Sequence, residues 1–515
     1  MKKLLKITAL ALAALLIMCM VLPGVSAEKS KNEATSGYTI INPYENVDFD
    51  SIGRYKTGLH NHTNASDGSP TLKQSIERHV ECGFDIVTVS DHGTVDYGWD
   101  EPHPNELIHG VLSLVGRSEG ELEYLGKSGT FENGMSYELT EQNGDDYLVV
   151  DGDTKIMRVP YGIEQNAVSV NAHVCSWFTD YHNNSVTTYE DAIKNVDALG
   201  GVCVINHPGE YTKARYEIHS SDAYNTDNFN YWYFVNKFAN LLNQYDRCIG
   251  IDMNSKGDDR TRFDRILWDK LLMRFAPNGK NIFAICSSDA HQLDKIDTGF
   301  VIALLPEMSS KALSNALLNG EFFGASHCIG NPDELTQIAA SLKEFYGETE
   351  LYNSVNSAAT QMAEKVAKID SGELDPDTHI GITYKVLDDE GCFSADTFPY
   401  IDNITIDSTA GTITIDSSDS LLVRWISDGE LIATTRSDDA TFCLADYSGK
   451  PGSYVRAEIF GEGGIIYTQP FIISGGTPSA VKIVDPGFFD FGVLDFLVAE
   501  FNNWFGVIFR FFKTI

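Results

Sequence analysis

Basic residues are scarce in this 515-residue chain, where 38 Lys and Arg face 73 Asp and Glu for a formal charge of −35. A field of that sign repels polyanions and disfavours sequence-independent binding of nucleic acid. Small phosphorylated ligands stay open wherever bound cations reverse the local potential. Cysteine is sparse too: nine residues, scattered, with no Cys-x-x-Cys, and Cys203 and Cys286 inside apolar runs. A disulfide framework is not indicated, and buried thiols are the plainer reading. Long apolar runs are missing from the phenylalanine-rich tail, 487–515, where charges recur too often for a spanning helix of ~20 mostly apolar residues. Its Leu494, Leu497, Phe501, Phe505, Ile508 and Phe512 fall on one side of a helical wheel, and Asp495, Glu500, Arg510 and Lys513 on the other. That pattern suits contact with a membrane surface, a partner or the protein's own body.

What is present begins with a secretory leader. Lys2, Lys3 and Lys6 precede an apolar stretch ending in Val25-Ser26-Ala27, a small-residue cleavage site. Residues 1–27 read as a signal peptide and 28–53 as a linker, so the mature protein is expected outside the cell or at its surface. From 54 to 330, strands and helices alternate. Apolar runs at 55–59, 84–89, 156–162, 169–174, 202–206, 248–253, 282–286 and 299–305 predict strands. Helices are expected at 71–82, 187–200, 229–245, 260–275 and 310–318. Ser69 and Pro70 mark the first helix start, and Thr187 with Glu190 has capping-box spacing for the second. Alternation over ~250 residues predicts an α/β architecture, its parallel sheet closed or nearly closed into a barrel.

Residues 93–160 interrupt the alternation with an acidic, Gly-rich insertion that carries Trp99, His103 and His109, either a lid or a decorative hairpin. Residues 331–392 read as a partly helical connector. From 393 to 475 the apolar period becomes two, as in Ile404-Thr-Ile406 and Ile413-Thr-Ile415, which predicts a small all-β sandwich. The amphipathic tail, 476–515, completes the chain.

Nine residues of metal-binding type stand at or just after the strands: His60, His62, Asp67, His92, Glu164, His173, His207, Asp289 and His291. Imidazoles and carboxylates are the donors that divalent transition metals prefer, and nine are too many for one tetrahedral ion. They follow strands 1, 2, 3, 4, 5 and 7, so a barrel would gather them at one rim. His60 and His62 share a strand face at i and i+2, within reach of one ion. A single His after a strand more often satisfies a loop hydrogen bond. Nine placed alike argue against that.

The segments His60-Asn-His-Thr-Asn-Ala-Ser-Asp67-Gly, Ser90-Asp-His92, Gly162-Ile-Glu164, Asn206-His-Pro208 and Ser288-Asp-Ala-His291 carry a likeness. Together, over roughly 54–330, they resemble the polymerase-and-histidinol-phosphatase (PHP) family of metal-dependent phosphoesterases. The resemblance implies a distorted (β/α)7 PHP-type barrel with three divalent ions, zinc, manganese or iron. It implies that His60, His62, Glu164 and Asp289 hold the first, and that Glu164 bridges to a second held with His173 and His207. Asp67, His92 and His291 would hold the third. His60, His62, Glu164, His207 and Asp289 would then be the catalytic set, hydrolysing small or nucleotide-type phosphate esters with activated water and no Ser or Cys nucleophile. Lys213 and Arg215, just past His207, are candidates to hold the substrate. The chain departs from the family pattern in its long spacing between His92 and Glu164, which bears on substrate choice.

Three other functions are weighed. An amidohydrolase-like C–N hydrolase also uses His-x-His and a late Asp, yet leaves Asp67, His92 and His291 unexplained. An extracellular nuclease must overcome the acidic charge. A non-catalytic surface-binding protein suits the sandwich and tail but not nine intact donors.

Overall fold

The computed structural model describes residues 39–100, 121–165, 173–182, 188–375, 384–385, 398–447 and 452–474. The leader, the first part of the linker (28–38), His103 and His109, Thr187, much of the connector's end and the amphipathic tail lie outside the described residues.

Two sheets carry the strands expected to form a barrel. In one, Gly53–Gly58 pairs in parallel with Ile86–Val87, which pairs in parallel with Thr154–Arg158. In the other, Cys248–Asn254 lies in parallel between Val202–Ile205 and Phe283–Cys286. Val174–Trp177 then adds antiparallel to Val202–Ile205, and Ile163–Gln165 antiparallel to Val174–Trp177. The protein is thus mixed α/β, as the alternation predicts, but among the described residues its sheets are not all-parallel and none closes on itself. Chain length explains one reversal. Residues 166–173 alone separate Ile163–Gln165 from Val174–Trp177, fewer than the dozen or so a parallel crossover needs. Where the sheets approach, two isolated parallel bridges, Asn61 with Ala290 and His92 with Glu164, join strand ends.

Helix starts differ in detail from expectation. The first helix is Leu72–Glu81, and its cap is Thr71: Thr71 Oγ1 accepts from Gln74 N at 3.2 Å while Gln74 Oε1 accepts from Thr71 N at 3.0 Å. Ser69 instead donates its amide and hydroxyl to the carbonyl of His291, which ties this turn to another loop. The second, Tyr189–Ala198, is capped by Thr188 through Asp191 N. The helix expected from 260 begins only at Asp264.

The insertion is an antiparallel meander of Ser128–Thr130, Ser136–Gln142, Asp145–Val150 and Thr154–Arg158. Asn143 and Gly144 turn the central hairpin with φ of 57° and 88°, the left-handed pair that suits strand twist. After the helices Pro332–Tyr346 and Glu350–Asp370, two sheets face each other, with Ile404, Ile413, Ile415 and Phe442 packed in one core with Val423, Trp425, Val455 and Ile459. That second sheet has a shared edge: Gly464–Tyr467 pairs with Phe322–Ser326, and Leu304 and Phe323 enter the same core. Among the described residues no helix is long and apolar enough to cross a membrane.

Candidate metal centre

Strand ends, loop hydrogen bonds and strained backbone build the site. Beyond Gly53–Gly58 the chain is locked to two neighbours: Asp289 N donates to His60 O at 3.0 Å, His62 N to Ala290 O at 2.9 Å, and Ser90 N to Asn61 O at 2.9 Å. Buried Asp91 accepts from Thr63 N at 2.8 Å, Thr63 Oγ1 at 2.6 Å and Ser66 Oγ at 2.5 Å, folding the loop that presents Asp67. Gly68 is required there, because a Cβ would lie 2.5 Å from His62 O. His207, Asp289 and Lys256 have φ of 22°, 44° and 53°. Left-handed backbone in non-glycine residues costs about 1–3 kcal/mol each and persists where surrounding contacts over-determine it.

The structure brings all nine donors together. His60 Nε2 and His62 Nε2 are 3.1 Å apart, and Asp289 Oδ1 lies 3.4 Å and 3.0 Å from them. Glu164 stands at the middle. Its Oε2 is 3.6 Å from His60 Nε2, 3.3 Å from His62 Nε2 and 2.8 Å from His92 Nδ1. Its Oε1 is 2.8 Å from His173 Nδ1 and 3.3 Å from His207 Nε2. Asp67 Oδ1 lies 3.4 Å from His92 Nε2 and 3.2 Å from His291 Nε2.

Four overlapping groups could each hold an ion: His60, His62 and Glu164; His60, His207 and Asp289; His92, Glu164 and His173; and His62, Asp67, His92 and His291. The grouping departs in part from the one the family resemblance implies. His62 joins the outer set, and His207 falls with His60 and Asp289.

The donors fit divalent ions. Donors about 2.1 Å from a tetrahedral ion lie roughly 3.3 Å from one another, the spacing seen here. Buried Asp67 Oδ1, Glu164 Oε2 and Asp289 Oδ1 accept no well-formed hydrogen bond despite imidazole nitrogens so close. Groups that converge without hydrogen-bond geometry are aimed at a common point rather than at each other. Electrostatics agree. Burial opposes charge, yet flanking His173, His92 and His60 hold the Glu164 carboxyl well below its usual range, and Lys256, His60 and His207 do so for Asp289. Against burial, Asp289 and Glu164 raise the His62 imidazole to about 10, a proton that an ion bound there would displace. Burial pushes His173 down to about 4. The cage is inner and outer: His60 and Glu164 are fully buried, while the His291 side chain is 31% exposed.

Further contributors surround the nine donors, and of these only Asn206 stood in a motif segment. Asn206 Nδ2 donates to Glu164 Oε1 at 2.7 Å, and Tyr211 OH meets His173 Nε2 at 2.6 Å. Asp252 Oδ2 lies 3.9 Å from His60 Nδ1 and Glu210 Oε2 lies 3.4 Å from His207 Nδ1. Lys256 Nζ is 2.6 Å from Asp289 Oδ2. One signal existed for Lys256. It follows Cys248–Asn254, a parallel strand after which none of the nine donors stands. Of the two substrate candidates, Lys213 is exposed with φ of 68°. Arg215 is engaged with Glu210 at 3.2 Å and lies over the Tyr216 ring.

No protein-family model matches the chain, and no curated protein matches it. Solved structures do. One is a two-domain protein containing a predicted PHP-like metal-dependent phosphoesterase from Bacteroides vulgatus, 14% identical with a TM-score of 0.34, covering 85% of this chain and 100% of that one. PsfC from Pseudomonas syringae is 13% identical with a TM-score of 0.29, covering 52% of this chain and 88% of its own. The lesion-specific endonuclease PfuEndoQ from Pyrococcus furiosus is 13% identical with a TM-score of 0.28, covering 52% of this chain and 56% of its own. At these scores the likenesses carry no weight by themselves, and function rests on the site.

Proposed function

We propose that this chain is a PHP-type metal-dependent hydrolase of phosphate esters, exported from the cell and acting with three divalent ions, zinc, manganese or iron. One observation carries the reading: both oxygens of Glu164 are shared, Oε1 by His173 and His207 and Oε2 by His60, His62 and His92. A single carboxylate set between two sets of imidazoles is the donor a multi-ion centre requires, and a protein-only hydrogen-bond network does not explain its unmet oxygen. His60, His62, Glu164 and Asp289 would hold one ion, His173 and His207 would complete a second, and Asp67, His92 and His291 a third. Such ions, when bound, neutralise phosphoryl oxygens and make water nucleophilic near neutral pH.

The chain's own residues prepare this chemistry. Asp252 and Glu210 lie 3.9 and 3.4 Å from the Nδ1 atoms of His60 and His207, whose Nε2 atoms lie toward Glu164 and Asp289. Tyr211 meets the outer nitrogen of His173, so Nδ1 faces Glu164. Asn206 orients the Glu164 carboxylate. The buried inner donors exclude bulk water, and the more exposed His291 and His92 mark the side by which substrate enters.

The test is metal analysis of purified protein alongside phosphate-ester and amide substrates. Phosphate release that depends on bound metal supports the reading. Metal-replete protein that cleaves amides or cyclic imides, and no phosphate ester, would overturn it in favour of C–N hydrolysis. Export is tested separately: the mature N-terminus should be Glu28.

A further inference from the structure

We propose that Lys256, Arg215 and Arg260, gathered on Glu210 beside Asp289, form an anion-binding wall that selects phosphate monoesters over diesters. The inference rests on the phosphoesterase reading and specifies its substrate class.

The geometry is built around one buried acid. Glu210, whose side chain is 5% exposed, places Oε1 2.6 Å from Arg260 Nη1 and 3.2 Å from Arg215 Nη1, and Oε2 3.3 Å from Lys256 Nζ. Three cations therefore meet at one carboxylate, and Lys256 reaches past it to Asp289 of the metal centre. That is a local excess of positive charge in a strongly acidic chain. Structural ion pairs do not need this imbalance. Arg265, buried elsewhere in the molecule, meets two acids, Asp258 and Glu334.

The wall is held rigid from both sides. Ser255 N donates to Thr261 Oγ1 at 2.9 Å, and that hydroxyl donates to Ser255 O at 2.8 Å, closing the loop that carries Lys256 and Arg260. Arg262 Nη2 donates to the carbonyls of Arg215 and Glu217 at 2.8 and 2.9 Å, which fastens the Arg215 segment to the same loop. The strained φ of 53° at Lys256 is maintained by this bracing. Solvent nevertheless reaches the cations, since Arg260 is 43% exposed at its side chain.

A phosphate monoester presents a dianion with three free oxygens, whereas a diester presents one charge and two. Ions in the cage can take some of those oxygens, and the extra charge of the monoester is what a neighbouring Lys and two Arg recognise. The same charge count disfavours internal phosphates of a nucleic acid strand.

The full chain, loaded with metal, is titrated with inorganic phosphate and assayed on p-nitrophenyl phosphate and bis(p-nitrophenyl) phosphate, as wild type and as Arg260→Gln. Arg260 is exposed enough for the variant to fold, and Lys256→Met provides a second variant. The expected result is a wild-type preference for the monoester, with phosphate affinity and the monoester-to-diester ratio of kcat/KM each falling about tenfold in Arg260→Gln, at unchanged metal content. Equal loss on both esters, or phosphate affinity that does not change, would overturn the wall. A wild-type chain that binds metal and cleaves neither ester would defeat the phosphoesterase reading instead, and the phosphate titration would still decide whether the wall exists.

Discussion

Two clusters of buried charge lie in this protein, and they are satisfied in opposite ways. In the seam between residues 258–337 and the C-terminal strands, every guanidinium meets directed partners, although Arg424 Nε is left without one. Arg265 Nε and Nη2 donate to Glu334 at 2.8 and 2.7 Å, and Nη1 and Nη2 to Asp258 at 2.9 and 2.8 Å. Arg456 donates to Asp269 at 2.9 and 2.8 Å and to Glu458 at 2.6 Å, and Arg424 donates to Glu458 and Gln337. In the metal centre, donors as close as these leave buried oxygens of Asp67, Glu164 and Asp289 without a directed hydrogen bond. In the seam the acids are all answered by directed donors, which serves the fold, whereas the unmet acid oxygens of the other cluster suit an added cation.

The largest effect should come from removing the shared acid. Glu164→Ala is expected to lower phosphate-ester turnover by roughly a thousandfold or more and to strip bound metal, while circular dichroism shows the C-terminal sheets intact. Breaking the self-completed cluster should do the reverse. Arg456→Met leaves Asp269 and Glu458 buried and short of a partner, at a cost of about 3–5 kcal/mol, read in urea unfolding, with metal stoichiometry retained below the transition. Neutral buried imidazoles sharpen the contrast. Burial pushes His79 down to about 4, aided by Lys56 and Arg78 and opposed by the Ser75 carbonyl, and pushes His327 to about 3, with Lys56 again adding to the effect and the Gly463 carbonyl opposing it. Their folded pKa values are depressed, so stability is fully present above pH 6.5 and declines as the unfolded chain takes up protons below it. Each His should contribute a slope of ~1.4 kcal/mol per pH unit between pH 6.5 and about 4, and His79→Gln should flatten its share in pH-dependent unfolding. The smallest effect is expected at Thr71→Ala, which removes a helix cap worth ~1 kcal/mol. Thermal unfolding should register it with no change in metal content.

The candidate metal-binding residues were legible because their chemistry is unusual and most of them stand at or near strand ends. Nine donors from six stretches meet, though not all of them follow strands: His173 precedes Val174–Trp177 and Glu164 lies within Ile163–Gln165. The open, mixed sheets were not legible, and a closed or nearly closed barrel was expected in their place, because a strand pattern reports apolar period and not partner direction; the strand expected at 169–174 is found at Val174–Trp177, antiparallel to both its neighbours. Period two revealed the C-terminal layers but not the edge that Gly464–Tyr467 shares with Phe322–Ser326, a pairing of residues far apart in sequence. Ser69 looked like a cap because Ser-Pro starts helices, and tertiary contact with His291 O took its hydrogen bonds instead. Glu210 and Lys256 were missed because a lone Glu or Lys in a loop is ordinarily a solvated charge. Only the fold reveals the Glu210 side chain as buried against three cations.

The most direct test is reversible metal removal from the full-length protein. After exhaustive chelation and dialysis, mass spectrometry should find the centre stripped and phosphate-ester hydrolysis should be lost, with both restored on titration with zinc, manganese or ferrous ion to more than one equivalent per chain. Undiminished hydrolysis by protein shown to contain no metal would contradict the account.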